Sequence, residues 1–276
     1  LLKMATLTGV QMPSYAEVTA TQLTGIVQDF ADAAHRVQQA GFDGVEVHAA
    51  HGYLLSTFLS PAWNHRDDMY GGSLEGRTRL LTDVVAAVRH RCGPEFALIV
   101  RLDGHEYGIE GGIAIQDAAQ HARAAVDAGA NAIHVSATSS AGTGVGFTDA
   151  PIPWQPNQYE NLAKSVKAAV NVPVIAVGRI RPSDAERIIG SSNADFVSMG
   201  RQLLADPDLV RRLNAGRPDL VRPCINCFVC VAQNFWSGKP VCAVNARLGH
   251  YDQPDPLPAS SPRDVLVIGG GPGGME

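Results

Sequence analysis

Five short stretches rich in Val and Ile, at 44–47, 97–102, 132–136, 172–177 and 195–199, are interleaved with segments whose apolar residues recur at helical spacing. In the first such segment Leu23, Ile26, Val27, Phe30, Ala33, Ala34 and Val37 share one face, and Gly41 closes it before the strand. The alternation repeats with helices predicted at 81–88, 118–126, 162–170 and 185–189. Strands separated by helix-length connections pair in parallel and are covered by those helices, so the expected class is α/β with a parallel sheet. The pattern alone leaves a closed barrel and a doubly wound sheet both open. With 276 residues and 45% hydrophobic composition the chain can bury one large core, and a (β/α) barrel typically needs about 250 residues.

Cys224, Cys227, Cys230 and Cys242 stand as C-x2-C-x2-C-x11-C. Three thiolates in one tight loop, with a fourth returned from further on, suit four-thiolate ligation of an iron–sulfur cluster. Zinc competes for such a set, although zinc sites more often show two paired C-x-x-C elements. A disulfide framework is disfavoured in a chain this long with five cysteines and no secretory leader. Cys92 falls at a helix-to-strand turn and reads as an incidental thiol.

A net charge of −5 offers no basic footprint for nucleic acid, and no Lys/Arg-rich helix suggests an anionic membrane surface. No apolar run reaches the ~18 residues that span a bilayer, and residues 1–14 lack the parts of a signal peptide, so a cytoplasmic location is expected. Gly and Pro at 216–223 end the helical pattern, and 251–263, with four prolines, reads as a linker. An apolar run at 264–268 then reads as a strand opening onto Gly269-x-Gly271-x-x-Gly274, a dinucleotide-type fingerprint. The expected organisation is a partial barrel at 1–216, a cysteine segment at 217–252, and at 253–276 a linker with the opening of a Rossmann-type domain. The chain reads as cut at both ends.

The densest chemistry lies in His48-Ala-Ala-His51-Gly-Tyr53, followed by Phe58-Leu-Ser-Pro61 and Asn64-x-Arg66-x-Asp68-x-Tyr70-Gly-Gly-Ser73. His48, His51 and Tyr53 follow the C-terminal end of a predicted strand, where barrel enzymes place catalytic groups. Two imidazoles can grip a carbonyl or carboxyl oxygen and draw electron density from a conjugated C=C, and a phenol can deliver a proton. An isolated H-x-x-H would be read as loop packing, and a metal reading lacks a third ligand at a telling distance. The 64–73 segment reads as a structural loop. Arg101, near the end of its strand, sets a cation where it can stabilise negative charge on a bound group. Gly178-Arg179 and Gly200-Arg201 end the last two strands, where backbone N–H groups and guanidinium forks can hold a phosphate.

These motifs together resemble the Old Yellow Enzyme family of flavin oxidoreductases. With the cysteine cluster they are similar to its multidomain iron–sulfur branch, which includes dienoyl-CoA reductases and trimethylamine dehydrogenase. The resemblance implies an eightfold (β/α) TIM barrel lacking its first three strands in this chain, with FMN held by Arg101, Gly178, Arg179, Gly200 and Arg201. It also implies a 4Fe–4S cluster on the four cysteines, and FAD with NAD(P)H served by a domain that opens at Gly269, Gly271 and Gly274. The implied reaction is NAD(P)H-driven reduction of an activated C=C, in an enone, enoate or enoyl thioester, with electrons crossing the cluster to FMN. Tyr53 would be proton donor, and His48 and His51 would hold the substrate.

His48 stands where trimethylamine dehydrogenase has a tyrosine, which favours reduction over the alternative of amine oxidation. The stretch 139–151 carries no histidine where the dienoyl-CoA reductases have a second relay residue. A further alternative is an inert metal-binding or structural fragment, since the family's flavin-contacting glutamine has no counterpart. Small molecules are the expected partners. An open five-strand sheet exposes its edges, so aggregation or a partner is expected, and homo-oligomerisation is left open.

Overall fold

The computed structural model describes residues 16–139, 155–236, 238–250, 257, 260–261 and 263–271. Helix α1 (Ala20–Gln39) leads into β1 (Gly44–Ala49), followed by the short α2 (Leu54–Leu59) and the long α3 (Leu74–Cys92). Then come β2 (Ala97–Tyr107), α4 (Ile115–Asp127), β3 (Ala132–Ser139), α5 (Glu160–Lys167), β4 (Val174–Ala176), α6 (Pro182–Gly190) and β5 (Phe196–Val197). After β5 lie α7 (Gly200–Ala205), α8 (Leu209–Asn214), a 3₁₀ turn at Pro218–Leu220 and α9 (Val229–Trp236).

Local chemistry sets the helix ends. Thr19 and Gln22 form a reciprocal capping box, with Thr19 Oγ1 accepting from Gln22 N (3.3 Å) and Gln22 Oε1 accepting from Thr19 N (2.8 Å). Ser73 caps α3 by accepting from Gly76 N at 3.1 Å. At the far end of that helix Gly93 takes the left-handed conformation (φ 81°) that stops it.

The five strands are parallel and lie in the order β1-β2-β3-β4-β5. A doubly wound sheet reverses its order at a switch point, whereas this one advances by one strand each time, as a barrel wall does. Every crossover helix therefore packs on the same face. On that face Val47, Ala49, Leu98, Val100, Leu102, Ile133, Val135, Val174 and Ala176 are buried against Leu80, Leu81, Val84, Val85 and Val88 of α3 and Ala118, Ala122 and Ala125 of α4. Each fully buried Leu or Val there contributes about 1.5–3 kcal/mol over leaving it exposed. The alternate positions on the other face carry Glu46, His48, Arg101, Asp103, His134, Ser136 and Thr138.

All five predicted strands and their helices are present, but the last two strands shorten to three residues and two. Helices α2, α7, α8 and α9 are too short to show a periodic pattern and were not expected. The strand expected at 264–268 is a correction. Among the described residues it has no ladder partner, and Val265, Leu266 and Ile268 are 81%, 83% and 90% exposed. Apolar content tells which face of a strand is buried, but a strand exists only where a neighbour takes its backbone hydrogen bonds.

The chain divides into two compact units, Leu1–Leu203 and Leu204–Glu276. In the second, buried Asp206 accepts from Arg212 Nη1 (2.8 Å), Arg222 N (2.9 Å) and Asp208 N (3.1 Å), while Asn245 Nδ2 donates to Leu204 O (2.8 Å). No helix among the described residues is long and apolar enough to cross a membrane.

Candidate active site

Beyond β1 the chain turns sharply through His51 (φ 65°) and Gly52 (φ 71°), and Tyr53 begins α2. A left-handed histidine costs roughly 1 kcal/mol or more, and here its amide is anchored by donation to Asp103 Oδ2 at 2.7 Å. The turn gathers three of the expected residues. The His48 ring centroid lies 4.9 Å from that of His51 and 5.4 Å from that of Tyr53, whose side is largely open to solvent.

Strand register brings in the fourth. His48 of β1 pairs with Arg101 of β2, which pairs with His134 of β3. Arg101 Nη2 donates to Ser136 Oγ (3.4 Å), the same hydroxyl that lies 2.7 Å from His51 Nε2. His134 Nδ1 lies 2.7 Å from Glu46 Oε2. Just past the bulge in β2, buried Glu106 accepts from Ser60 Oγ (2.5 Å) and Ile113 N (2.7 Å). Sequence reasoning missed Glu46, Asp103, Glu106, His134 and Ser136. The signal was the two-residue polar alternation in Glu46-Val-His48, Arg101-Leu-Asp103 and His134-Val-Ser136-Ala-Thr138.

Burial, then the charges of Arg101, His48 and His134, push the His51 imidazole down to about 3, so it is neutral at ordinary pH. His48 is lowered too, chiefly by burial and next by Arg101. Burial raises the Asp103 carboxyl to about 7 with the help of Glu106, against the His51 amide and Arg101. Burial alone would raise Glu46, but the hydrogen bond and charge of His134, with Arg101 and His48, carry it below the usual range.

Just after β4 the backbone is left-handed at Gly178 (φ 117°) and Arg179 (φ 53°). Burial lowers the Arg179 guanidinium, and the charges of Arg181 and Arg201 add to that. Three like charges this close are relieved by an anion. A Cβ at Gly178 would come within 2.7 Å of the Tyr159 ring, which is itself fully buried. Gly178→Ala is therefore expected to cost about 1–3 kcal/mol and lower the melting temperature by several degrees. A wild-type melting curve would contradict that.

The inner face fits a flavin. Arg101 Nε and His134 Nε2 are buried and have no hydrogen-bond partner in the protein, leaving polar groups for a ligand with donors and acceptors of its own. The cysteine segment is less complete. Cys224, Cys227, Cys230 and Cys242 are not joined in disulfides, Asn226 (φ 54°) and Phe228 (φ 63°) turn the loop on either side of Cys227, and Asn226 N donates to Cys224 Sγ at 3.4 Å. The donor set and the N–H directed at sulfur suit cluster ligation. Among the described residues, however, no three His, Cys, Asp or Glu are gathered closely enough to hold a metal. Ligand binding itself supplies the free energy that draws such thiolates together.

Gly269 (φ 118°) and Gly271 lie in the exposed terminal segment, and Gly274 and the 140–151 part of the histidine-free loop fall outside the described residues. The 64–73 loop is structural, as expected. Asn64 Nδ2 ties Phe58 O (2.7 Å) to Tyr70 O (2.8 Å), and Arg66 makes a two-pronged bond to Asp68 (3.0 and 2.5 Å).

Arg101 lies in the middle of β2, which runs on to Tyr107 rather than ending near 102 as expected. A sequentially ordered parallel sheet with His48, His51 and Tyr53 at the end of β1 beside it defines the class of (β/α)-barrel flavin enzymes. The chain belongs to the NADH:flavin oxidoreductase / NADH oxidase family, whose model matches residues 5–220. It is 40% identical over 267 residues to a metal reductase of Desulforamulus reducens, covering 94% of this chain and 39% of the relative. With a cinnamate reductase of Clostridium sporogenes it shares 34% over 279 residues, 94% of this chain and 41% of the relative. The solved structure of 2-naphthoyl-CoA reductase with 2-naphthoyl-CoA superposes with a TM-score of 0.87 at 30% identity, covering 94% of this chain and 40% of that one. The chain thus spans about two-fifths of the length of the relatives it matches.

Proposed function

We propose that this chain is the flavin-bearing part of an oxidoreductase that uses NAD(P)H to reduce an activated C=C in an enone, enoate or enoyl thioester. The observation that carries the reading is the turn at His51 and Gly52, which clusters His48, His51 and Tyr53 beside Arg101. FMN, when bound and reduced, supplies the hydride. Arg101 would lie along its pyrimidine edge, and Gly178, Arg179, Gly200 and Arg201 would hold its phosphate. His48 and His51, both held neutral, donate hydrogen bonds to the substrate oxygen and polarise the double bond. Tyr53, solvent-facing and next to His48, protonates the carbon beside the carbonyl.

Cinnamate and naphthoyl-CoA are both conjugated carbonyl compounds, and the relatives named for reducing them support this substrate class. We extend the proposal to a 4Fe–4S cluster on Cys224, Cys227, Cys230 and Cys242, and to FAD and NAD(P)H bound from Gly269, Gly271 and Gly274 onward. A cytoplasmic compartment, where thiolates stay reduced and available as cluster ligands, is part of the same proposal.

Anaerobically reconstituted protein is expected to show both FMN absorbance and a broad iron–sulfur band. Cys227→Ser is expected to lose the second and keep the first. A colourless protein holding zinc would overturn the reading.

A further inference from the structure

We infer that Ser136 is a positioning residue that fixes which nitrogen of His51 carries its proton, and so which nitrogen is presented to the substrate. The inference rests on the proposed role of His51 in holding the substrate oxygen.

Ser136 is buried on β3 between two groups that no sequence motif connects. Arg101 reaches it from β2 with Nη2 at 3.4 Å, and His51 reaches it from the turn after β1 with Nε2 at 2.7 Å. A guanidinium has donors only. The serine oxygen therefore accepts from Arg101, and among the described residues its single hydrogen has no acceptor within reach other than His51. His51 Nε2 is then the acceptor, and in a neutral ring the proton sits on Nδ1.

The ring is neutral because it is buried among Arg101, His48 and His134. Its backbone is also anchored, since the His51 amide donates to Asp103 Oδ2 at 2.7 Å. Arg101–Ser136–His51 is a chain of donors running in one direction. It ends on an Nδ1–H that can donate to an oxygen. Arg101 thereby serves the flavin side and, through one hydroxyl, the substrate side. With Ser136→Ala the Nε2 partner is lost, and both tautomers become available. Ser136→Thr keeps the hydroxyl and is expected to keep the order.

The test is ¹⁵N NMR of the histidine rings in the flavin-loaded protein, with the His51 signals assigned by their absence in His51→Asn. Wild type and Ser136→Thr are expected to show a protonated Nδ1 and a bare Nε2, and Ser136→Ala a mixture or the reverse. Enone KM is expected to rise about tenfold in Ser136→Ala, with Ser136→Thr restoring it. A protonated Nε2 in wild type, or an unaltered tautomer in Ser136→Ala, would overturn the inference. A tautomer that changes as expected while enone KM stays put would uphold the relay and count against His51 as a substrate ligand.

Discussion

Replacing Tyr53 with Phe is expected to slow reduction of an enone by reduced flavin about 100-fold or more, while reduction of the flavin by NAD(P)H proceeds at its wild-type rate. The substitution is clean because the fold uses only the backbone of Tyr53. Its amide donates to Ala50 O (3.4 Å), and its carbonyl accepts from Thr57 N (2.9 Å) and Ser56 Oγ (3.0 Å). The ring is 65% exposed and takes no part in the core. Phe keeps the contact with the His48 ring and removes only the acidic hydrogen. Stopped-flow measurement of the two half-reactions separates the outcomes. Equal loss in both would mean that Tyr53 shapes the flavin site, and equal retention would assign the proton to another donor.

The second large effect concerns acid stability. His121 on α4 is completely buried, neither ring nitrogen has a hydrogen-bond partner, and burial pushes it down to about 4. Unfolded, it titrates near 6.5, so below that pH the unfolded chain takes up a proton that the folded one refuses. His51, at about 3, acts in the same direction, and lowered His48 adds to it. Asp103 opposes them. Held near 7 when folded and 3.8 when unfolded, it keeps a proton that the unfolded chain releases. His121 and His51 against Asp103 leave a net uptake of about one proton on unfolding between about pH 4.5 and 6, and His48 adds to it.

Stability is therefore expected to fall by about 1.4 kcal/mol per pH unit as the solution is acidified through that window. His121→Met, similar in volume and without a charge, is expected to flatten the slope and leave stability near neutrality unchanged or higher. Denaturant unfolding at several pH values checks this. A His121→Met protein that keeps the wild-type slope would remove His121 as its source.

The strands and crossover helices were legible because their apolar residues repeat with periods that only one backbone geometry satisfies. His48, His51 and Tyr53 were legible because they fall at the end of β1 within a specific motif, and Arg101 because it is a lone cation in an apolar strand. Ser136, Glu46 and His134 were not, for a definable reason. Ser and His inside a Val/Ile-rich run look like interruptions until register is known, and register sets His48, Arg101 and His134 in one row. Glu106 was passed over because its burial depends on Ser60 and Ile113, which the sequence does not bring near it. The run at 264–268 failed in the opposite sense, since composition promised a strand that pairing does not supply.

The sheet's two faces also divide the labour of heredity. On β1, Val47 and Ala49 belong to the helix-covered core, while their neighbours Glu46 and His48 lie on the opposite, polar face. A change at His48 is expected to alter substrate handling more than it alters helix packing. Specificity can drift residue by residue on a scaffold that does not register the drift.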